Sequence, residues 1–183
     1  MDLVEITSTG NDVEIDLVYA TKRNFTGKPV YRTATCLLHH DGWQALNRAV
    51  ELARVLGLRL RIFDALRPGE AQWKLWAHLP NSEYVADPRR GSPHSRGIAV
   101  DLTLVDRDGH VLDMGTEFDA FTPLSHHGNL HVGVETQRNR ALLLGIMTSA
   151  GWDFYRNEWW HYQLFNSRSY KLLFDRDLPS PIM

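Results

Sequence analysis

Two short stretches of the 183-residue sequence hold side chains that could bind a divalent metal and activate water. In residues 92–101 (SPHSRGIAVD), His94 and Asp101 offer an imidazole and a carboxylate, a combination that suits borderline metals such as zinc. In residues 158–162 (EWWHY), His161 would supply a third ligand. Three protein ligands leave the fourth tetrahedral position open, which is the catalytic rather than the structural arrangement.

Glu158 lies three residues before His161, where it can serve the same site without being a ligand. A carboxylate there can act as a general base and take a proton from the attacking water. Because residues i and i+3 of an ideal strand face opposite ways, we expect a bulge or turn at Glu158. The adjacent Trp159 and Trp160 would shield the site from bulk water and strengthen its electrostatic interactions.

The sequence pattern predicts the elements that must position these residues. Residues 98–104 (IAVDLTL) alternate as a strand with Asp101 on its polar face, and Gly97 lets the preceding loop bring His94 back over that carboxylate. The other predicted elements are strands over residues 13–19, 58–64 and 159–164, helices over residues 41–56 and 135–150, and a short helix beginning at Pro68.

Length and composition indicate one globular domain over residues 1–183, with 43% hydrophobic and 23% charged residues. Interleaved strands and helices, with a hairpin-type turn at residues 106–109, favour an α+β fold over a parallel doubly wound sheet. The net charge of −2 indicates no nucleic-acid partner, and no apolar run is long enough for a membrane span. The single cysteine, Cys36, excludes a Cys-rich zinc ribbon. Because the acidic start has no apolar signal region, we expect a cytoplasmic location.

Ordinary structural roles compete with the metal interpretation. A lone histidine is more often a surface or core residue than a ligand, and an Asp such as Asp101 is often a turn or cap partner. The histidines within residues 126–131 form a rival cluster, but Gly128 and Asn129 interrupt any helix that could make them chelate. The sequence has neither a Gly-x-Ser-x-Gly nucleophile elbow nor a Gly-rich phosphate loop, so those function classes are excluded.

Together, Ser-x-His-x-x-Gly-x-Ala-x-Asp at residues 92–101 and Glu-x-x-His at residues 158–161 resemble the zinc D-alanyl-D-alanine dipeptidases of the vancomycin-resistance type. That family lies within a larger group of zinc D,D-peptidases related in fold to the hedgehog signalling domain. The resemblance implies a mostly antiparallel central sheet flanked by helices. It covers nearly the whole chain through further landmarks in family order: Tyr19-Ala20, residues 24–29 (NFTGKP), residues 64–68 (DALRP), Met114-Gly115, Phe118-Asp119, residues 125–127 (SHH) and residues 137–140 (QRNR).

The resemblance implies one zinc ion per chain, with His94, Asp101 and His161 as its ligands and Glu158 as the general base. The implied reaction is hydrolysis of the dipeptide D-alanyl-D-alanine to two D-alanines. In that reaction Glu158 takes a proton from water and passes it to the leaving amine.

On the substrate side, the resemblance implies that Arg67 stabilises the oxyanion of the tetrahedral intermediate, a role suited to a guanidinium that always stays charged. It implies that Asp119 binds the free ammonium of the substrate, which would explain a preference for a dipeptide over longer peptides. Ser92, Tyr31 and Tyr19 correspond to polar groups near the same pocket.

Other functions remain open at this point. A zinc D,D-carboxypeptidase or peptidoglycan endopeptidase would keep the metal site and change the substrate, although Asp119 favours a dipeptide. A non-catalytic zinc-binding module would have no use for Glu158 and Arg67. An α+β domain without metal would leave His94 and His161 as ordinary polar residues. The expected partner is thus a small dipeptide, with no nucleic acid or membrane, and a homo-oligomer is compatible with the sequence.

Overall fold

Residues 2–183, which the computed structural model describes, form seven strands and four α-helices. The strands are β1 (Leu3–Glu5), β2 (Val13–Ile15), β3 (Leu37–His39), β4 (Arg59–Asp64), β5 (Ala99–Val105), β6 (Asp153–Phe154) and β7 (His161–Gln163). The helices are α1 (Ser8–Asn11), α2 (His40–Val55), α3 (Gly69–His78) and α4 (Val134–Ser149). Short 3₁₀ helices cover Val18–Ala20, His94–Arg96, Pro123–Ser125, Ser167–Ser169 and Asp175–Asp177.

A five-stranded sheet in the order β2-β4-β5-β7-β6 forms the centre of the fold. Only the β2–β4 pair in this sheet is parallel, and the other neighbouring strands are antiparallel. The strands β1 and β3 form a separate antiparallel pair. The mixed sheets and helices confirm the predicted α+β class.

The two faces of strand β5 have different surroundings: one faces the hydrophobic core, and the other belongs to the polar face of the sheet. All seven of its residues are buried, and the alternation places Val100, Leu102 and Leu104 in the main core cluster. Asp101 faces the other way, because successive side chains of a strand point to opposite faces. The β5–β7 register pairs Asp101 with His161, so two of the predicted ligands lie side by side.

The core is completed by α2 and α4, which bury one face each against the same cluster. The buried side chains of these helices that belong to it are Ala45, Leu46, Ala49 and Ala53 from α2 and Leu143, Ile146 and Met147 from α4. Burying a leucine or isoleucine of this kind contributes about 1.5–3 kcal/mol. This packing makes the sheet a rigid support for the residues on its polar face.

The predicted element boundaries were partly wrong. The strand expected over residues 13–19 ends at Ile15, because the chain turns into the 3₁₀ helix Val18–Ala20. The strand expected over residues 159–164 is limited to β7, because residues 159 and 160 form a turn. The turn expected at Glu158 is confirmed by the hydrogen bond from its backbone N–H to the Tyr155 carbonyl, 3.2 Å long. None of the described helices has the length and apolar character that crossing a bilayer requires.

Gly97 closes the turn that carries His94, and its φ of 68° lies in the left-handed region. Its carbonyl accepts a 2.7 Å hydrogen bond from the N–H of His39, and a Cβ would lie 3.2 Å from that nitrogen. We therefore expect Gly97→Ala to lower the free energy of unfolding by about 1–2 kcal/mol, measured by urea denaturation.

Gly145→Ala is the matched control, because Gly145 lies within α4 and has open space where a Cβ would go. Removing a glycine from a helix interior should raise the free energy of unfolding by about 0.4–1 kcal/mol. A Gly97→Ala protein as stable as the wild type would contradict the assigned backbone strain.

Candidate active site

A cavity of about 210 Å³ lies on the polar face of the sheet. Eight of the nine predicted site residues line it: Tyr19, Arg67, Ser92, His94, Asp101, Asp119, Glu158 and His161. The ninth, Tyr31, lies outside the lining. The fold therefore brings together residues that are up to 142 positions apart in the sequence.

Three buried ligand atoms converge at one point of this cavity. The Nε2 atom of His94 lies 3.1 Å from Nδ1 of His161 and 3.3 Å from Oδ1 of Asp101. The same Oδ1 lies 3.0 Å from Nδ1 of His161. Metal–ligand bonds of about 2.0–2.1 Å in a tetrahedron separate ligand atoms by about 3.3 Å. The spacing and the donor types thus fit one divalent metal ion.

The two imidazoles present different nitrogen atoms to this point. Nδ1 of His94 donates to the carbonyl of Ala65, 2.7 Å away, so that Nε2 faces inward. His161 has the opposite orientation: Nδ1 faces inward, and Nε2 lies 3.2 Å from Oε1 of Gln163. Such outer hydrogen bonds fix the ring orientation and the tautomer of metal-binding histidines.

Asp101 is buried and keeps its negative charge. Burial by itself would raise the pKa of this carboxyl, but His94 and His161 beside it hold the pKa below its ordinary value. A carboxylate that stays ionised is available as a metal ligand at neutral pH.

Glu158 lies between two turns, at residues 156–157 and 159–160, that precede β7, and it is only 7% exposed. Burial, followed by the negative charges of Asp101 and Asp119, raises the pKa of Glu158 well above its ordinary value, although Arg67 opposes this shift. A carboxylate with a raised pKa binds a proton more readily than an exposed one, which suits a group that accepts and returns a proton. Trp160 lines the cavity beside Glu158 and is itself 1% exposed.

Arg67 lines the cavity and is part of a network of buried charges. Its Nη2 atom is 2.7 Å from Oδ2 of Asp64 and 3.4 Å from Oδ2 of Asp101. Its Nε atom donates to Asp64 at 2.9 Å, and Nη1 donates to Oε1 of Gln72 at 3.1 Å. These four contacts account for four of the five guanidinium N–H donors and leave one N–H, on Nη1, outside them.

Asp119 has an incompletely satisfied carboxylate. Its Oδ1 accepts from the hydroxyl of Tyr19 at 3.2 Å, whereas Oδ2 is buried and has no hydrogen-bond partner within residues 2–183. Burial, together with the negative charge of Asp101, raises the pKa of Asp119 to about 8. The backbone of Asp119 has a φ of 61°, a strained conformation that is found preferentially at ligand-binding positions. A cationic group of a ligand beside Asp119 would favour the ionised form of this carboxyl and lower its pKa.

The three remaining polar residues differ in their positions. The Oγ atom of Ser92 accepts a 3.2 Å hydrogen bond from the backbone N–H of His94. Tyr19 carries the Arg67 guanidinium over its ring, 4.8 Å from the centroid. Tyr31 is buried behind the cavity, and its hydroxyl donates to Oδ1 of Asp64 at 2.8 Å. Its contacts are thus with the support of Arg67 rather than with the cavity.

The sequence pattern did not predict several residues that form or support the cavity. Asp64 ends β4; it belongs to the landmark stretch of residues 64–68, but the sequence analysis assigned it no role. Gln163 follows His161 by two residues, and the strand period alone would have placed both side chains on one face. The loop over residues 82–86 forms one wall of the cavity, and Tyr155 donates to the Glu83 carbonyl across it at 2.8 Å. The irregular sequence of this loop did not indicate that it would line the cavity.

The rival histidines of residues 126–131 do not form a ligand group. Burial lowers the pKa of His127 to about 4, and its ring contacts Phe154 edge-on. Within residues 2–183, the one other group of candidate ligands is Asp106, Asp108 and His110 in an exposed turn. There Oδ1 of Asp106 accepts the backbone N–H groups of Asp108 and His110, as expected for a carboxylate that stabilises a turn.

Comparison with known proteins finds one family and several relatives that share the same description. The family model described as D-ala-D-ala dipeptidase, peptidase M15, matches residues 1–177. A protein named D-alanyl-D-alanine dipeptidase from Escherichia coli (strain K12) is 46% identical over 175 residues, which cover 96% of this chain and 91% of that protein.

Two relatives with the same name come from enterococci. The Enterococcus faecium protein is 35% identical over 173 residues, covering 83% of this chain and 86% of the relative. The protein of Enterococcus faecalis (strain ATCC 700802 / V583) is 37% identical over 178 residues, covering 84% and 87%.

Proposed function

The chain belongs to the D-Ala-D-Ala dipeptidase family of metallopeptidases, peptidase family M15, and from this premise we propose that it hydrolyses D-alanyl-D-alanine to two D-alanines on one zinc ion. The observation that carries the proposal is a single cavity that holds three converging ligand atoms, a buried carboxylate beside them and a second carboxylate with an unpartnered oxygen. The ligand atoms and the carboxylate beside them would act on the peptide bond, and the carboxylate with the unpartnered oxygen would bind the substrate's amino group.

The proposed ligands are Nε2 of His94, Oδ1 of Asp101 and Nδ1 of His161. Two imidazoles and one carboxylate favour zinc among the divalent metals, and three protein ligands leave a position open. When bound there, the metal supplies Lewis acidity toward the scissile carbonyl and lowers the pKa of water at the site.

Glu158 is the proposed general base. Its carboxylate accepts the proton of the water that attacks the scissile carbonyl, and it then delivers this proton to the amine nitrogen of the leaving D-alanine. Burial raises the pKa of Glu158, so its carboxylate holds a transferred proton more firmly than an exposed carboxylate would, which supports its role in carrying the proton to the leaving amine.

Arg67 is the proposed electrostatic stabiliser of the oxyanion. Asp64 and Gln72 hold its guanidinium in place before the reaction begins, so little reorganisation is needed when negative charge develops. Tyr31 supports this arrangement through its hydrogen bond to Asp64 rather than through contact with the substrate.

Asp119 is the proposed partner of the substrate's ammonium group. Tyr19 donates to one carboxylate oxygen, and the other is left to accept from the ammonium. The cavity of about 210 Å³ is smaller than the roughly 300–1,000 Å³ typical of drug-sized ligands. Size and charge together favour a free dipeptide over longer or N-acylated peptides, and so favour a dipeptidase over a carboxypeptidase or endopeptidase. Ser92 is proposed to contribute a polar group at the same wall.

Asp119→Asn should lower kcat/KM for D-Ala-D-Ala by about 10–150-fold, because a hydrogen bond to a charged group contributes about 1.5–3 kcal/mol. The measurement is D-alanine release by the zinc-loaded proteins. The matched substrate is N-acetyl-D-Ala-D-Ala, which has no ammonium and should gain no advantage from the wild-type carboxylate. If the variant lost the same factor on both substrates, the assignment of Asp119 to the amino terminus would be wrong.

The overall function is tested on the wild-type protein with the same two substrates. Rapid release from the free dipeptide with little release from the acetylated one supports a dipeptidase. Preferential cleavage of the acetylated substrate would make the protein a carboxypeptidase, and no cleavage of either would make it a zinc-binding module. The proposal also includes a cytoplasmic location, which is checked by assaying separated cell fractions for this activity.

A further inference from the structure

Gln163 lies on the outer side of the proposed ligand His161. The two residues are separated by two positions on β7, so their side chains share the face that lines the cavity. Oε1 of Gln163 lies 3.2 Å from Nε2 of His161, on the side of the ring opposite to Asp101. The imidazole is therefore held from both sides, by a carboxylate within the ligand cluster and by an amide outside it.

The two histidines depend on different kinds of outer acceptor. His94 donates to the backbone carbonyl of Ala65, which no side-chain substitution removes. His161 faces the side chain of Gln163, and a substitution at position 163 would remove this acceptor. Its inner nitrogen, Nδ1, lies 3.0 Å from Oδ1 of Asp101. A proton on Nδ1 would thus find a good acceptor in Asp101, and in that tautomer the nitrogen could not bind a metal.

We propose that Gln163 is a positioning residue of the metal centre. Its Oε1 accepts the Nε2–H of His161, which keeps the proton on the outer nitrogen and leaves Nδ1 free to bind the metal. The inference rests on the proposed function only in taking His94, Asp101 and His161 as metal ligands.

The backbone and side chain of Gln163 are both restrained by the surrounding structure. Its backbone pairs with Ala99 of β5 and with Asp153 of β6, so it lies in the interior of the sheet rather than at an edge. Its side chain is half-buried, which limits competition from bulk water for the hydrogen bond. An acceptor fixed in this way orients the imidazole before the metal arrives.

The test compares zinc affinities, measured by competition with a chromophoric chelator. Gln163→Leu removes the acceptor with little change in size and should weaken zinc binding by about 10–100-fold. Gln163→Glu keeps an oxygen acceptor at the same place and should bind zinc at least as tightly as the wild type. Gln137→Leu is the matched control: Gln137 is a half-buried glutamine with a side-chain hydrogen bond to the Asn129 carbonyl, and the substitution should leave zinc affinity unchanged.

A spectroscopic readout distinguishes positioning from packing. In zinc-loaded wild-type protein, ¹⁵N–¹H correlation spectra should show a slowly exchanging proton on Nε2 of His161, and in Gln163→Leu this proton should exchange rapidly with water. The proposal is overturned if Gln163→Leu binds zinc like the wild type, or if Gln163→Glu loses as much affinity as Gln163→Leu. Zinc affinity is independent of the substrate, so this outcome and the outcome of the dipeptidase test are separate.

Discussion

Glu158→Gln is expected to lower kcat for D-Ala-D-Ala by about 10²–10⁴-fold, the usual contribution of a general acid–base group. The amide has nearly the same shape as the carboxylate but cannot accept the proton of the attacking water. Removing this charge also relieves its repulsion with Asp101 and Asp119, so the variant should fold at least as stably as the wild type. The measurement is steady-state D-alanine release by zinc-loaded protein, together with thermal unfolding.

The control for this variant is Glu135→Gln, which removes an exposed carboxylate in the first turn of α4. Its activity should match that of the wild type. Zinc affinity of the Glu158→Gln protein should be unchanged, because Glu158 is not a proposed ligand. Activity within a few-fold of wild type would remove Glu158 from the mechanism, and lost zinc affinity would make it a ligand instead.

Arg67→Met is expected to impair both catalysis and stability. The substitution leaves Asp64 and Asp101 buried without their cation, and breaking a buried ion pair in this way costs about 3–5 kcal/mol. It also removes the donor proposed for the oxyanion, which should lower kcat by about 10²–10³-fold. Urea denaturation measures the first effect and D-alanine release measures the second.

Arg67→Lys separates the two effects. The ammonium retains the positive charge beside Asp64, and so should recover part of the stability, but it cannot reproduce the planar set of donors that contacts Asp64 and Gln72 together. Its kcat should therefore stay well below the wild-type value. Arg138→Met, on the exposed face of α4, is the control for loss of a surface guanidinium. A fully active Arg67→Met protein would contradict the oxyanion assignment.

Local sequence pattern predicted the elements that carry the proposed metal ligands. The alternation in residues 98–104 placed Asp101 on the face opposite Val100 and Leu102, as observed in β5. The mismatch between an i, i+3 pair and the strand period predicted the turn at Glu158. In both cases a short stretch of chain determines the geometry through its own backbone period.

Contacts between distant segments could not be predicted in the same way. The Tyr31 hydroxyl donates to Asp64, 33 positions away, and nothing in either local sequence indicates this contact. The strands β1 and β3 have only three residues each, too few for a periodic pattern, and form because they pair with each other. The environment of Asp119 likewise depends on distant parts of the chain: its Oδ2 is buried, and its Oδ1 accepts from Tyr19, 100 positions away.

The most direct test of the central claim is a zinc titration of chelator-treated protein with D-Ala-D-Ala as substrate. The proposed single-metal site predicts that D-alanine release is absent without metal, rises with added zinc and stops rising at one equivalent per chain. Asp101→Asn, which replaces the carboxylate of a proposed ligand by a neutral amide, should require far more zinc to reach any activity. Undiminished hydrolysis by metal-free protein, or a rise that continues to two equivalents, would contradict the account.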